Sequence, residues 1–196
     1  MDRLYRSLAA VAAVAFTTLE ASARGAGIQN LALSRPVSVV SGSPSGAALS
    51  TLTDGLFLPA GTQWQTGTVW WSGTGASFQI DLLGASEVLG AIVQADNNDT
   101  YRMWYRDLES GSYLELWTIG AVSGAGMRTR PNPTDNTAIH YFASPVFTDS
   151  LRIAAIGGDS SYSLSEVQVW GIVPAPAAAP LLGLAGLIGA GRRRAR

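Results

Sequence analysis

The chain has 196 residues, no cysteine, 13 basic residues against 14 acidic ones, and a formal net charge of -1. That length supports one domain of roughly 100 to 200 residues with a real hydrophobic core, and the lack of cysteine excludes disulfides, thiolate metal sites and cysteine nucleophiles. Every basic residue is arginine, and residues 27–172 hold six of them against twelve carboxylates, an acidic body without the basic stripe that phosphate neutralisation needs, so nucleic acid is excluded as a partner.

Residues 1–23 begin with Arg3 and Arg6, continue through the apolar run LAAVAAVAFTTL and end in Ala21-Ser22-Ala23. A charged start, about a dozen apolar residues and a small-x-small exit predict a secretory signal peptide, helical while it is read, that signal peptidase removes near Ala23. The run is too short for a membrane anchor of about 20 apolar residues.

From Asn30 to Gly171 apolar residues recur with a period of two in short runs bounded by Gly, Pro, Asn, Asp and Ser, which predicts strands. SFQIDL (77–82) sets Phe78, Ile80 and Leu82 against Gln79 and Asp81, and YRMWYR (101–106) sets Tyr101, Met103 and Tyr105 against Arg102, Trp104 and Arg106. The runs VLGAIVQ (88–94), YLELWTI (113–119), AIHYF (138–142), SLRIAAI (150–156) and SLSEVQVW (163–170) follow the same habit. No window between the two termini keeps a helical period, and many short strands at this spacing predict two packed antiparallel sheets.

The segments NLALSRPVS (30–38), LTDG (52–55), Trp64, FQIDLL (78–83), IVQADNNDTYRMWY (92–105) and LRIAAIGGDSSYSLSEVQVWG (151–171) resemble, in order, a discoidin or coagulation-factor C-type domain. The resemblance covers about 140 residues and implies the antiparallel galactose-binding-like jelly roll, a β-sandwich whose relatives bind carbohydrate, lipid headgroups, collagen or other proteins. It also implies a structural calcium site. Asp54 stands where the family often places a carboxylate, and Glu166 matches the family's Glu near the end of the last strand; loop carbonyls would supply the remaining oxygens of a six- to eight-fold shell. Read alone, Asp54-Gly55 is a tight-turn pair.

ADNND (95–99) has two readings. It lacks the Gly and Glu of a calcium loop, since Tyr101 and Asp107 occupy those positions, and it makes an Asx-rich turn between strands. In the resembling domains this segment shares one end of the sandwich with the loop GGDSSYS (157–163), so Asp96, Asn97, Asn98, Asp99 and Arg102 are expected to meet Asp159 and Tyr162 across a rim. Carboxylates, amides and a guanidinium bond sugar hydroxyls while an aromatic face covers the C–H side of a ring. Arg128 and Arg130, placed in a loop by GMRTRPNP, either reach the same rim or form surface ion pairs. One of Trp70 and Trp71 is expected at the surface, because neighbours in a strand face opposite ways, and His140, the one histidine, reads as a sheet residue.

The chain closes with Val173-Pro174-Ala175-Pro176, an apolar run from Leu181 to Gly191, and Arg192, Arg193, Arg194 and Arg196. The prolines hold the approach extended. Ala175 to Gly191 nears the lower limit of about 17 residues for a membrane span, and the arginines keep their end cytoplasmic. These residues resemble the PEP-CTERM sorting signal of Gram-negative bacteria, with Ala175 in place of the usual Glu as in VPxPA-type variants. The resemblance implies an exosortase-type protease as partner, transient inner-membrane anchoring by a carboxy-terminal helix, and delivery to the cell surface or matrix. No nucleophile elbow, phosphate-cradling loop or HExxH pattern is present. The expected product is an exported non-catalytic module for glycan or exopolysaccharide; the alternatives are a structural or protein-binding matrix domain and a hydrolase built on two converging carboxylates.

Overall fold

The computed structural model describes residues 27–173. The leader assigned to residues 1–23, and the sorting segment from Pro174 to the terminal arginines, lie outside the described residues. Within them the chain forms ten strands, β1 (Gln29–Asn30), β2 (Val37–Ser41), β3 (Ser45–Gly46), β4 (Val69–Ser72), β5 (Ser77–Asp96), β6 (Thr100–Arg106), β7 (Tyr113–Ile119), β8 (Met127–Arg130), β9 (His140–Gly157) and β10 (Ser161–Ile172), with one 3-10 helix at Leu49–Thr53.

All pairings are antiparallel, and β5 runs through both layers of the sandwich. Its first part pairs with β2 on one side and with Ser150–Ala154 of β9 on the other, and β9 continues to β6 and β7. The ladder then breaks between Asp81 and Ser86. There the Asp81 carboxylate accepts the Leu83 N–H at 2.8 Å, and Leu83 and Gly84 take φ of 59° and 153°, which turns the strand into the second layer. From Glu87 to Ala95 it pairs with β10, which carries β4 and β1, while β8 and the start of β9 take its other edge. What the sequence pattern presents as separate runs at 77–82 and 88–94 is therefore one bent strand.

Alternation decides which side chains enter the core. Phe78, Ile80 and Leu82 of β5, Tyr101 and Met103 of β6, and Leu151 and Ile153 of β9 are buried, while Gln79, Asp81, Arg102, Trp104, Arg106 and Arg152 share the opposite face of the first sheet. Trp71 is buried and Trp70 is half-buried, as adjacent strand positions require. At one end Trp71 gathers Phe78, Tyr101 and Tyr162, with ring centroids 5.0, 6.3 and 6.0 Å away, spacings at which an aromatic pair adds about 0.5–1.5 kcal/mol beyond its buried area. His140 stacks on Trp117 at 4.3 Å, a sheet residue as its context predicts.

Candidate functional site

At that aromatic end the turn Asn97–Asn98 between β5 and β6, the loop between β9 and β10, the loop between β7 and β8, and the segment after the 3-10 helix converge. Arg130 holds the convergence from below. It is 2% exposed, and its guanidinium donates to the carbonyls of Ala95 (2.8 Å), Asp96 (2.5 Å), Asn97 (3.1 Å), Arg128 (2.9 Å) and Gly120 (3.2 Å). One planar cation with five donors thus fixes the carbonyls of a turn that no ladder could satisfy. Asn97 extends the tie by donating Nδ2 to Gly124 O at 2.9 Å, and the Met127 N–H donates to Thr62 O at 2.8 Å, locking β8 to the 61–64 segment. Gly126 has φ of 61°, and a Cβ there would lie 2.2 Å from Thr62 O, so the close approach requires glycine.

The result is a depression of about 450 Å³ lined by Gly61, Gln63, Trp64, Asp96, Asn97, Asn98, Asp159 and the Gly124–Gly126 backbone. Asn98 donates Nδ2 to Asp159 Oδ2 at 2.9 Å across the mouth. Trp64 is half-buried, edge-on to Trp70 at 5.7 Å. Asp96 is 5% exposed; burial raises its carboxyl above the usual carboxylate range, helped by the Asp159 charge and opposed by the Asn97 N–H and Arg130. The opening therefore presents amides, two carboxylates and one indole.

Several residues expected at this rim stand elsewhere. Tyr162 is 2% exposed and belongs to the aromatic core, because the second residue of β10 points inward. Asp99 is fully buried beneath the depression, with Oδ1 accepting the Asp159 N–H at 3.4 Å and Oδ2 facing the Tyr101 hydroxyl at 3.2 Å. Burial raises its carboxyl to about 6, with the Asp96 and Asp159 charges adding and the Asp159 N–H and Tyr101 hydroxyl opposing. Arg128 and Arg130 lie in β8, not a loop, and neither is in a surface ion pair among the described residues. Arg130 serves the turn from inside, and Arg128 packs so close under Gly124 that a Cβ there would sit 2.7 Å from its Nε. Arg102 faces the outer side of the first sheet, 3.3 Å from Glu115 and over Trp104. In their place the structure supplies Trp64 and Gln63, from a segment that carries no strand period; Trp64 is a landmark of the family resemblance, but no pattern in the sequence places it at the rim.

The Asp54 and Glu166 pair forms a separate feature on the second sheet. Glu166 is fully buried; its Oε1 accepts the Gly55 N–H at 3.1 Å, whereas its Oε2 is buried without a hydrogen-bond partner. Burial, then the neighbouring Asp54 charge, raise its carboxyl to about 8. An orphaned buried carboxylate oxygen beside a second carboxylate fits a hard cation. Among the described residues no third acidic or histidine side chain joins them, so the remaining ligands would have to be backbone oxygens or water.

The sequence matches no protein-family profile and no curated protein. Solved structures share the fold. The family 32 carbohydrate-binding module of Clostridium perfringens NanJ, determined in complex with galactose, aligns with a TM-score of 0.52 at 15% identity over 74% of this chain and 99% of that one. The family 32 module of Streptococcus pneumoniae EndoD gives 0.51 at 10% identity over 73% and 99%. Chitosan-binding module 2 of a Paenibacillus chitosanase/glucanase, in complex with chitotriose, gives 0.50 at 18% over 72% and 100%. The domain is thus an antiparallel galactose-binding-like β-sandwich.

Proposed function

We propose that the domain is a non-catalytic saccharide-binding module whose ligand sits in the rim depression. The observation that carries this reading is the pairing of the Trp64 indole with a ring of hydrogen-bonding groups, Gln63, Asp96, Asn97, Asn98 and Asp159, around one opening held rigid by Arg130. A sugar ring offers an apolar C–H face for the indole and hydroxyls for the amides and carboxylates. The neighbours solved with galactose and with chitotriose support the ligand class. Of the three carboxylates a hydrolase could use here, Asp99 is sealed from the opening while Asp96 and Asp159 line it, so product release that disappears in Asp96→Asn or Asp159→Asn would favour a hydrolase instead.

Calorimetric titration of residues 27–173 against a panel of neutral, amino and acidic polysaccharides tests the proposal. Saturable heat that falls about tenfold or more in affinity for Trp64→Ala, the scale of one lost aromatic platform, is the expected result. No heat with any polymer, or binding unchanged in both Trp64→Ala and Asn98→Ala, rejects it; capture of a matrix protein alone would favour a scaffolding role instead.

The ends of the chain extend the proposal. The leader would export the protein, and the Val173–Pro176 lead, apolar run and arginine cluster would hold it at the inner membrane until an exosortase-type protease releases it to the surface or matrix. Mass spectrometry of the mature protein should find a start near Arg24 and a missing arginine cluster; an intact chain confined to the cytosol rejects this route. Glu166, through its free Oε2, and Asp54 would hold a calcium ion that ties the loop after the 3-10 helix to β10.

A further inference from the structure

The outer face of the first sheet carries a second groove that shares no residue with the rim. Two adjoining hollows of about 330 and 220 Å³ meet at Tyr113 and Arg152. Strand register lays Gln79, Arg152 and Trp104 in one row across β5, β9 and β6, a span of about 10 Å at the usual inter-strand spacing. The guanidinium of Arg152 lies 3.7 Å from the centroid of the Tyr113 ring.

The hydrogen bonds of this row leave donors over. Arg152 donates Nε and Nη2 to Gln79 Oε1, each at 3.2 Å, and the Tyr113 hydroxyl donates to the same oxygen at 2.8 Å. Arginine can only donate, so the Gln79 oxygen must face it and the amide NH2 must face away. Neither Gln79 Nε2 nor Arg152 Nη1 bonds another described residue. Arg106 is engaged by both oxygens of Asp149, and Arg102 pairs with Glu115. Arg152 is therefore the arginine of this face without a carboxylate partner among the described residues, beside an unspent amide donor and the half-buried indole of Trp104.

The larger hollow also carries two carboxylates, Asp149, which Arg106 neutralises, and Asp81, which accepts the Leu83 N–H. At the Arg152–Trp104 end, lined by Ser77, Trp104, Tyr113, Arg152 and Ala154, there is none, and there a charged donor beside a neutral one calls for an anionic acceptor, a carboxylate fitting the planar guanidinium. The indole and the phenol call for a ring. We propose that this groove is a second saccharide site, selective for a carboxylate-bearing sugar, so that the domain binds uronic-acid-containing polysaccharide across its sheet face independently of the rim.

Native affinity electrophoresis of residues 27–173 in gels containing polygalacturonate, alginate or hyaluronan, with dextran as the neutral control, tests the site. At least one acidic polymer should retard the protein, less so as salt rises, and dextran should not do so through this face. Losing one charge-assisted hydrogen bond predicts about a tenfold or greater loss in Arg152→Gln. Gln79→Glu is the second variant: nearly the same shape, it places a carboxylate against Arg152, so folding is kept while the charge is consumed, and retardation should disappear. Trp64→Ala at the rim should leave the acidic retardation intact. No retardation by any of the three acidic polymers overturns the proposal. So does retardation that survives both Arg152→Gln and Gln79→Glu, or that is lost through Trp64→Ala alone, which would assign the binding to the rim.

Discussion

The Tyr101 hydroxyl stands 3.2 Å from Asp99 Oδ2 and 3.0 Å from Ser163 O, in a wall that solvent does not reach. A phenol has one proton and cannot satisfy two acceptors fully, so a proton on Asp99 completes the set. This agrees with a carboxyl raised from 3.8 to about 6. The folded state therefore holds this proton more tightly than the unfolded chain, and the stabilisation is complete below pH 3.8 and lost as pH rises through 6. Asp99→Asn, which keeps the shape and needs no proton, should flatten the thermal midpoint between pH 4 and 7 relative to wild type. A pH slope in that window identical to wild type would remove Asp99 as its source.

Arg130 gives a different kind of prediction. Its replacement by Met leaves five carbonyls without this donor, those of Ala95, Asp96 and Asn97 leading into the β5–β6 turn and those of Gly120 and Arg128 beside it. Each buried acceptor left unsatisfied costs about 1–3 kcal/mol, so the loss of even two of these bonds lowers the melting temperature of a domain of this size by on the order of 10 °C. The rim should open with it, so saccharide affinity at the Trp64 depression should fall even at temperatures where the variant is folded. A variant that melts near wild type with unchanged affinity would show that the turn holds itself.

Gly158 tests how tightly the β9–β10 loop is drawn onto Asp99. Its φ is 145°, and a Cβ would lie 1.9 Å from Asp99 Oδ1. Gly158→Ala should destabilise by about 1–3 kcal/mol through strain at a conformation that side chains avoid, measured by denaturant midpoint. The double variant with Asp99→Ala, which clears the obstructing carboxylate, should recover the contact part of that loss.

The strands were legible where one face is buried and the other wet. SFQIDL and YRMWYR announce their orientation because each alternate residue meets either Trp71 and its neighbours or water. The bend at Leu83–Gly84 was not legible, since it depends on which layer each half joins. Polar residues misled for the same reason. Asp99 and Arg130 look like ligand groups in a list of residues, yet each is drawn inward by a partner far along the chain, the Asp159 N–H 60 positions from Asp99 and the Ala95 carbonyl 35 positions from Arg130. Asp96, Asn97, Asn98 and Asp159 do surround one opening, because a turn and a loop at the same end of adjacent strands must meet. Trp64 sits in a stretch whose place is set by backbone ties to β8, which no local pattern encodes.

The pH dependence that Glu166 confers changes sign when a cation binds. Its carboxyl is raised from 4.5 to about 8, chiefly by burial and then by Asp54. Without a cation the neutral form is the stable one, so its contribution is full below pH 4.5 and is lost as pH rises through 8. A calcium ion on the orphaned Oε2 would favour the ionised form instead. Calcium should therefore raise the melting temperature more at pH 8 than at pH 5, and chelation should reverse the gain. Glu166→Gln should lose the calcium response while melting higher than wild type in chelator at pH 8, because the amide carries no charge to bury. A wild-type melting temperature that calcium and chelator leave unchanged at pH 8 would rule out the ion and leave Glu166 as a buried, protonated acid.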